Sequence, residues 1–357
     1  MQPLVQLRGR GAPQNPKNRF VDAEYVADGD WLDTLGDDEP GPRTEFLRDH
    51  TRGIISRNDS PDLPFETSVN PYRGCEHGCI YCFARPTHEY LGFSAGLDFE
   101  TRILVKHEAP ELLRKELASP RWTGQPIAMS GVTDPYQPVE RRLEITRRCL
   151  QVLAEFRNPV AIVTKNHLVT RDTDLLGELA AHGAAIVNLS ITTLNEKLQR
   201  VMEPRASTPA RRLEAVRKLA EAGVPVRVLV APVVPGLTDH EMTGILAAAA
   251  DAGATAASYI PLRLPHGLKG LFEAWLETHF PDRKDKVLNR VREMRGGKLY
   301  DSEWGTRMRG EGVFADQYEA LFGAACRKHG LVRDFPPLSS AAFRRPHNPA
   351  GQMGLFE

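Results

Sequence analysis

An α/β fold, specifically a partial (β/α)6 TIM-like barrel, is predicted by three observations on this chain of 357 residues. From residue 68 to residue 260, short apolar runs alternate with longer amphipathic segments, the pattern of repeated strand–helix units around a mainly parallel sheet. Gly183 and Gly223 stand just past two of the helical segments, where a left-handed cap is wanted. Six units are too few to close an eight-stranded barrel, so a curved, partial barrel is expected, with a doubly wound open sheet as the structural alternative. In either architecture ligands collect at the carboxyl ends of the strands.

The elements follow in order. Residues 1–65 read as an irregular extension, with Gly9, Gly11, Pro13 and Pro16 followed by an acidic stretch from Asp28 to Glu39. Its Arg8–Gly9–Arg10–Gly11 run reads as a solvated tail rather than a phosphate contact. The barrel core is expected over 66–268. Its strands are placed at 68–74, 126–130, 160–164, 185–192, 224–230 and 255–260, and its helices at 109–117, 141–156, 172–182, 209–222 and 239–252. A helical C-terminal extension, 269–343, is expected to carry helices at 271–279, 283–294 and 316–329 and to pack on the barrel. A flexible tail, 344–357, closes the chain.

The chain carries 46 basic and 46 acidic residues, a formal net charge of zero. That balance argues against a wholesale electrostatic nucleic-acid binder while leaving room for a local basic groove. No apolar run approaches the roughly 20 residues that span a bilayer, and the first residues lack the basic-then-apolar pattern of an export signal. A cytoplasmic location is therefore expected, where thiols stay reduced.

Chemistry concentrates in one loop, Cys75–Glu76–His77–Gly78–Cys79–Ile80–Tyr81–Cys82. The spacing is C-x3-C-x2-C with no obvious fourth partner. Three thiolates can hold three irons of a four-iron, four-sulfur cluster, and the fourth iron is then free to bind substrate or cofactor. A Cys3His zinc site with His77 or His88 is the alternative. A disulfide is disfavoured, because the chain has five cysteines and no secretory signal. Cys149 and Cys326 are distant, and Cys149 fits a buried position of an amphipathic helix.

This loop, with Tyr81 just before its last cysteine, resembles the radical S-adenosylmethionine (radical SAM) superfamily. The flanking residues Asn70–Pro71–Tyr72–Arg73–Gly74 and Phe83–Ala84–Arg85–Pro86–Thr87–His88–Glu89–Tyr90–Leu91–Gly92 are similar to its spore photoproduct lyase-like branch. The resemblance covers about residues 50–265. It implies a [4Fe-4S] cluster on Cys75, Cys79 and Cys82. It implies S-adenosylmethionine chelated at the open iron and cleaved reductively to methionine and a 5′-deoxyadenosyl radical, which takes a hydrogen atom from substrate. A low-potential electron donor of flavodoxin or ferredoxin type is implied as a partner, and a nucleic-acid lesion is implied as the substrate.

Further candidates lie at strand ends. Ser130 and Gly131 occupy the place where the superfamily often has Gly-Gly-Glu, and their small size lets the backbone approach a ligand. Because Val132 stands where a glutamate would, Asp134 or Glu140 is expected to supply the carboxylate for the SAM ammonium. Lys165, ending the third strand, is a candidate for SAM's carboxylate, and so is Arg205, whose planar fork matches a carboxylate at two points. A structural ion pair of Arg205 with Glu203 or Glu214 is its alternative. Alternation along the fourth strand puts Asn188, Ser190 and Thr192 on one face. Three polar residues in a barrel interior need partners, and Ser190 is assigned to a ribose hydroxyl. Val230 to Leu237 is a candidate adenine wall, with Tyr259, Ile260 and Pro261 adding backbone contacts. His77 is expected to shape the cysteine loop, and His88 is a weaker candidate for a substrate-side proton donor. At the terminus, Gln352, Leu355 and Phe356 resemble the Gln-x-x-Leu-Phe peptide that docks on the bacterial DNA sliding clamp. Two other function classes stay open: a zinc-stabilised nucleic-acid-binding module, and a non-catalytic iron–sulfur electron-transfer or sensor protein.

Overall fold

The computed structural model describes residues 7–21 and 43–346. Its strands are β1 (Glu45–Arg48), β2 (Ile55–Arg57), β3 (Thr67–Val69), β4 (Tyr72–Arg73), β5 (Arg102–Val105), β6 (Ile127–Met129), β7 (Val160–Thr164), β8 (Ala185–Ser190), β9 (Val226–Val233) and β10 (Ala256–Pro261). The main sheet has the order β10-β9-β8-β7-β6-β3-β2. Strands β3, β6, β7, β8, β9 and β10 run parallel, as a partial barrel requires, and β2 adds an antiparallel edge. Every residue of β8 is buried, which is how a strand reads when both its faces are covered. Helices Ala109–Ala118, Ile145–Phe156, Thr173–Ala180, Pro209–Glu221 and Met242–Asp251 cross between the strands. Gly183 and Gly223 take positive φ, 65° and 72°, as expected past helix ends.

The first expected strand is split. Val69 ends β3, and the chain resumes as β4 in a separate sheet of order β1-β5-β4. Pro71 stands at the break and has no N–H to give a ladder. The extension is less irregular than expected, since β1 and β2 both lie within it. The expected helix over 141–156 is interrupted at Glu144, whose φ is 52°. The helix Glu196–Met202 was not expected; Asn195 starts it, its side chain accepting from the N–H groups of Lys197 and Leu198.

Helices Leu268–His279, Pro281–Glu293 and Gly312–His329 form a helical C-terminal region. The last packs against Met242–Asp251. No helix among the described residues is long and apolar enough to cross a membrane. The terminal peptide with Gln352, Leu355 and Phe356 lies outside the described residues.

The Arg8–Gly11 run is solvated only in its first half: Arg8 and Gly9 are exposed, as expected, and the second half is not. Arg10, Gly11 and Ala12 are buried. The backbone N–H groups of Gly11 and Ala12 donate to the Glu100 carboxylate at 3.0 and 2.8 Å, and Arg10 Nη1 donates to the Glu100 carbonyl at 3.0 Å. Glu100 also pairs with the fully buried Arg85. A lone charge in that position would be costly to bury, and this set of donors removes the cost. A methyl group on Gly11 would sit 1.7 Å from the Gly78 carbonyl oxygen. The N-terminal segment is therefore pressed directly onto the cysteine loop, at a spot only glycine permits.

Candidate active site

The cysteine loop sits at the carboxyl-end rim of the parallel strands, after β3 and β4. Cys75 and Cys79 are buried and Cys82 is half-buried, and all three are free thiols. Neighbouring elements fix the loop by backbone hydrogen bonds: Cys75 N–H to Phe99 O at 2.9 Å, Ile80 N–H to Met202 O at 3.0 Å and Arg205 N–H to His77 O at 3.2 Å. Arg85 Nε reaches back to the Cys79 carbonyl at 2.9 Å.

Burial pushes all three thiols up, Cys75 and Cys79 strongly. Several groups work the other way. The His77 N–H bonds Cys75, the N–H groups of Ala84 and Arg85 bond Cys82, and the Lys165 ammonium favours the thiolates of Cys79 and Cys82. Three sulfurs from one loop, met by N–H donors and one ammonium, suit an iron–sulfur cluster, whose ligands must be thiolates and whose potential responds to such hydrogen bonds. Among the described residues no three His, Cys, Asp or Glu side chains converge closely enough to hold a single metal ion.

Lys165 is not a surface lysine. Its Nζ lies 5.7 Å from the Tyr81 ring centroid, 4.0 Å from Glu203 Oε1 and 3.4 Å from the Ala231 carbonyl. Burial lowers its pKa, opposed by the neighbouring Cys79 thiolate. Glu203 is fully buried and ties three elements together: it accepts from the Tyr81 hydroxyl, from Thr192 Oγ1 at 2.8 Å and from the Arg212 guanidinium. Arg212 is buried too and donates to the carbonyls of Ser207 and Ser190 at 2.8 and 3.0 Å.

Ser130 directly follows β6 at a φ of 104°, a region that L-residues rarely adopt. Asn70 Oδ1 accepts from the N–H groups of Gly131 and Val132 at 2.7 and 3.1 Å, and Ser130 Oγ donates to the Thr133 carbonyl at 2.6 Å. Asp134 faces inward and is engaged by His77 Nδ1 at 3.3 Å, Thr164 Oγ1 at 2.7 Å and the N–H groups of Lys165 and Tyr136, both at 2.8 Å. Burial opposes ionisation of Asp134, but His77 and these donors hold its carboxyl below the usual range. His77 Nε2 meets Asn166 Nδ2 at 3.0 Å, so the ring is gripped at both nitrogens and shapes the loop. Glu140 lies elsewhere, buried against Tyr72, Arg171 and the Thr146 N–H.

Arg205 pairs with Glu76 at 3.0 Å rather than with Glu203 or Glu214. Glu76 is otherwise bonded to the Val139 N–H at 2.7 Å, and its own N–H donates to Gln137 Oε1 at 3.0 Å. Of the β8 row, Asn188 donates to the Ile162 carbonyl at 3.0 Å and Thr192 serves Glu203. Ser190 is buried, and its hydroxyl takes no protein partner among the described residues. His88 is fully buried, its ring centroid 5.4 Å from both Phe93 and Phe99 and Nε2 2.9 Å from the Arg102 carbonyl. Burial lowers its pKa to about 4, so it is a neutral packing residue and not a substrate-side proton donor. Cys149 is buried in its helix, as expected.

Sequence reasoning missed Asn70, Glu76, Glu100 and Arg212. Asn70 stands beside Pro71 in the flanking motif, which was a local signal. Glu100 and Arg212 gave none, because their partners are distant in sequence.

Comparisons with known proteins agree with this geometry. The sequence pattern of the radical SAM superfamily matches residues 69–249. An uncharacterised protein of Mycobacterium tuberculosis is 39% identical over 234 residues, covering 65% of this chain and 68% of its own. A radical SAM Nalpha-GlyT isomerase of Pseudomonas phage M6 is 25% identical over 175 residues, covering 48% of this chain and 34% of its own. Among solved structures, spore photoproduct lyase complexed with dinucleoside spore photoproduct superposes with a TM-score of 0.57 at 17% identity, covering 81% of each chain. With a cysteine triad on the strand-end rim of a six-stranded partial barrel, the chain belongs to the radical SAM superfamily.

Proposed function

We propose that this protein is a radical SAM enzyme that cleaves S-adenosylmethionine reductively and acts on a nucleic-acid substrate. One observation carries the reading: three free thiols from a single loop at the strand-end rim, with the Lys165 ammonium 5.7 Å from the ring of Tyr81 in that same loop. Cys75, Cys79 and Cys82 would hold three irons of a [4Fe-4S] cluster. The chemistry such a cluster would supply is the single electron needed for reductive cleavage of SAM to methionine and a hydrogen-abstracting 5′-deoxyadenosyl radical.

The chain's own residues bind and shield. Lys165 supplies the cation for the methionine carboxylate, and Arg205, paired with Glu76, steadies the cysteine loop. The Ser130–Gly131 turn, held open by Asn70, presents backbone to the SAM ammonium. Asp134 acts as a positioning residue through His77, its oxygens being engaged within the protein. The Ser190 hydroxyl takes a ribose hydroxyl. The strap around Gly11 and Glu100 keeps water from the loop. A flavodoxin- or ferredoxin-type protein delivers the electron. The nucleic-acid assignment is supported by the likeness in fold to spore photoproduct lyase.

The test is anaerobic incubation of reconstituted, reduced protein with SAM. Matched iron and sulfide and formation of 5′-deoxyadenosine are expected, and Cys79→Ala is expected to abolish the product. A fully loaded cluster that yields no 5′-deoxyadenosine sinks the proposal in favour of an electron-transfer or sensor protein.

A further inference from the structure

The sixth parallel strand, β10, ends at Pro261, and Arg263 follows two residues later. Its guanidinium lies 5.8 Å from the ring centroid of Phe83, the residue directly after Cys82. The pair thus joins the last strand to the loop of the first, beside the third cysteine.

Both members are unusual. Phe83 is 55% exposed, although it adjoins a largely buried loop. Arg263 makes no ion pair within 4 Å among the described residues, and the Asp62 carboxylate that acts on it at longer range is bonded to Arg307. Its Nε is buried without an acceptor, and the acceptor found for Nη1 is the Met308 sulfur at 3.0 Å, a weak one. A half-buried guanidinium left in that state is costly unless an anion completes it. Its surroundings are rigidly built. The buried Arg295 donates to the carbonyls of Leu262, Thr306 and Arg307 at 3.2, 3.0 and 2.8 Å, fixing the backbone on both sides of the Arg263–Met308 contact. The nearby Arg307 is satisfied by Asp62 at 2.6 Å. Of the two arginines near Asp62, Arg263 is the one without a direct contact to it.

We propose that Phe83 and Arg263 form a nucleotide subsite at the mouth of the candidate active site, where a base of a single-stranded nucleic acid lies on the Phe83 ring and its phosphate takes the Arg263 fork. An exposed aromatic face accepts any base, and a planar fork matches phosphate oxygens at two points. The subsite deepens the functional reading above and rests on it, because its occupant would lie one residue from the cluster.

The test uses cluster-loaded, SAM-bound full chain and a fluorescein-labelled deoxythymidine decamer, with anisotropy read across a salt series. Phe83→Ala is expected to weaken binding about 5- to 100-fold, the loss of one base–aromatic stack. Arg263→Gln is expected to weaken it and to flatten the log–log salt slope by about 0.7, one phosphate's share on a single strand. Arg263→Lys keeps the charge, so it should retain the slope while binding less tightly; it also keeps the test open if the glutamine variant fails to fold. Decamer binding indifferent to both residues overturns the proposal. So does an Arg263→Gln variant that loses SAM affinity and keeps the decamer, for then the fork serves the cofactor. Free thymidine monophosphate competing as well as the decamer overturns the assignment to a strand. These failures are separate from that of the functional reading, which falls only if the unmutated enzyme makes no 5′-deoxyadenosine.

Discussion

Glu203→Gln removes the charge that neutralises Arg212 inside the barrel. Arg212 is 1% exposed, and after the substitution its charge is left with the carbonyls of Ser190 and Ser207 and a neutral amide. Breaking one side of a buried ion pair costs about 3–5 kcal/mol. The two retained carbonyl bonds place this case at the lower end, about 3 kcal/mol. With roughly 2.1 cal/mol/K of unfolding entropy per residue, or ~0.75 kcal/mol/K for 357 residues, the apparent Tm should fall by about 4 °C. The Tyr81 hydroxyl loses its ionic acceptor in the same step, so the loop between Cys79 and Cys82 loosens and iron retention should fall as well. The decisive assay is a double-mutant cycle in urea on the anaerobic apoprotein with Glu203→Gln, Arg212→Met and the pair. Removing both charges should cost at least 1.5 kcal/mol less than the sum of the singles, because no unpaired ion remains buried. Additive singles would show that the pair is not coupled and refute the reasoning.

His88 makes stability depend on pH in a definite sense. Its folded pKa, about 4, lies below the ordinary 6.5, so the unfolded chain binds the extra proton between those values. Stability is therefore fully present above 6.5 and is lost as pH falls towards 4, by roughly 3 kcal/mol at ~1.36 kcal/mol per unit. His88→Gln should flatten this acid limb in urea titrations, and an unchanged limb would refute it. Gly11→Ala forces a methyl group into the Gly78 carbonyl. The strap should detach, shortening the lifetime of the cluster in air-exposed holoenzyme, and an unaltered bleaching rate would show that the strap does not shield the loop.

What the sequence disclosed followed the range of each physical signal. Strand β7 is legible to the residue, because Val160 to Val163 is an unbroken apolar run ending at Thr164. The first strand was overextended because the run through Tyr72 looks continuous until Pro71 is treated as a break in the ladder. The three cysteines are legible because spacing within one loop is itself the chemistry. The ion pairs were not. Glu203 and Arg205 are close in sequence, yet Pro204 intervenes, and they serve Arg212 and Glu76 respectively. The bonds joining Gly11 and Ala12 to Glu100 span 89 and 88 residues, a separation over which no periodicity reports. Arg10 and Gly11 therefore looked like solvent-facing chain.

That distant closure has a kinetic meaning. The Glu100 contacts involve few residues, so they can release in a local excursion far cheaper than global unfolding. Damage by oxygen should then report how often this latch lifts, and its rate should track the latch's own equilibrium and not the stability of the whole barrel. Two variants with equal melting temperatures can accordingly differ widely in how long they survive on the bench.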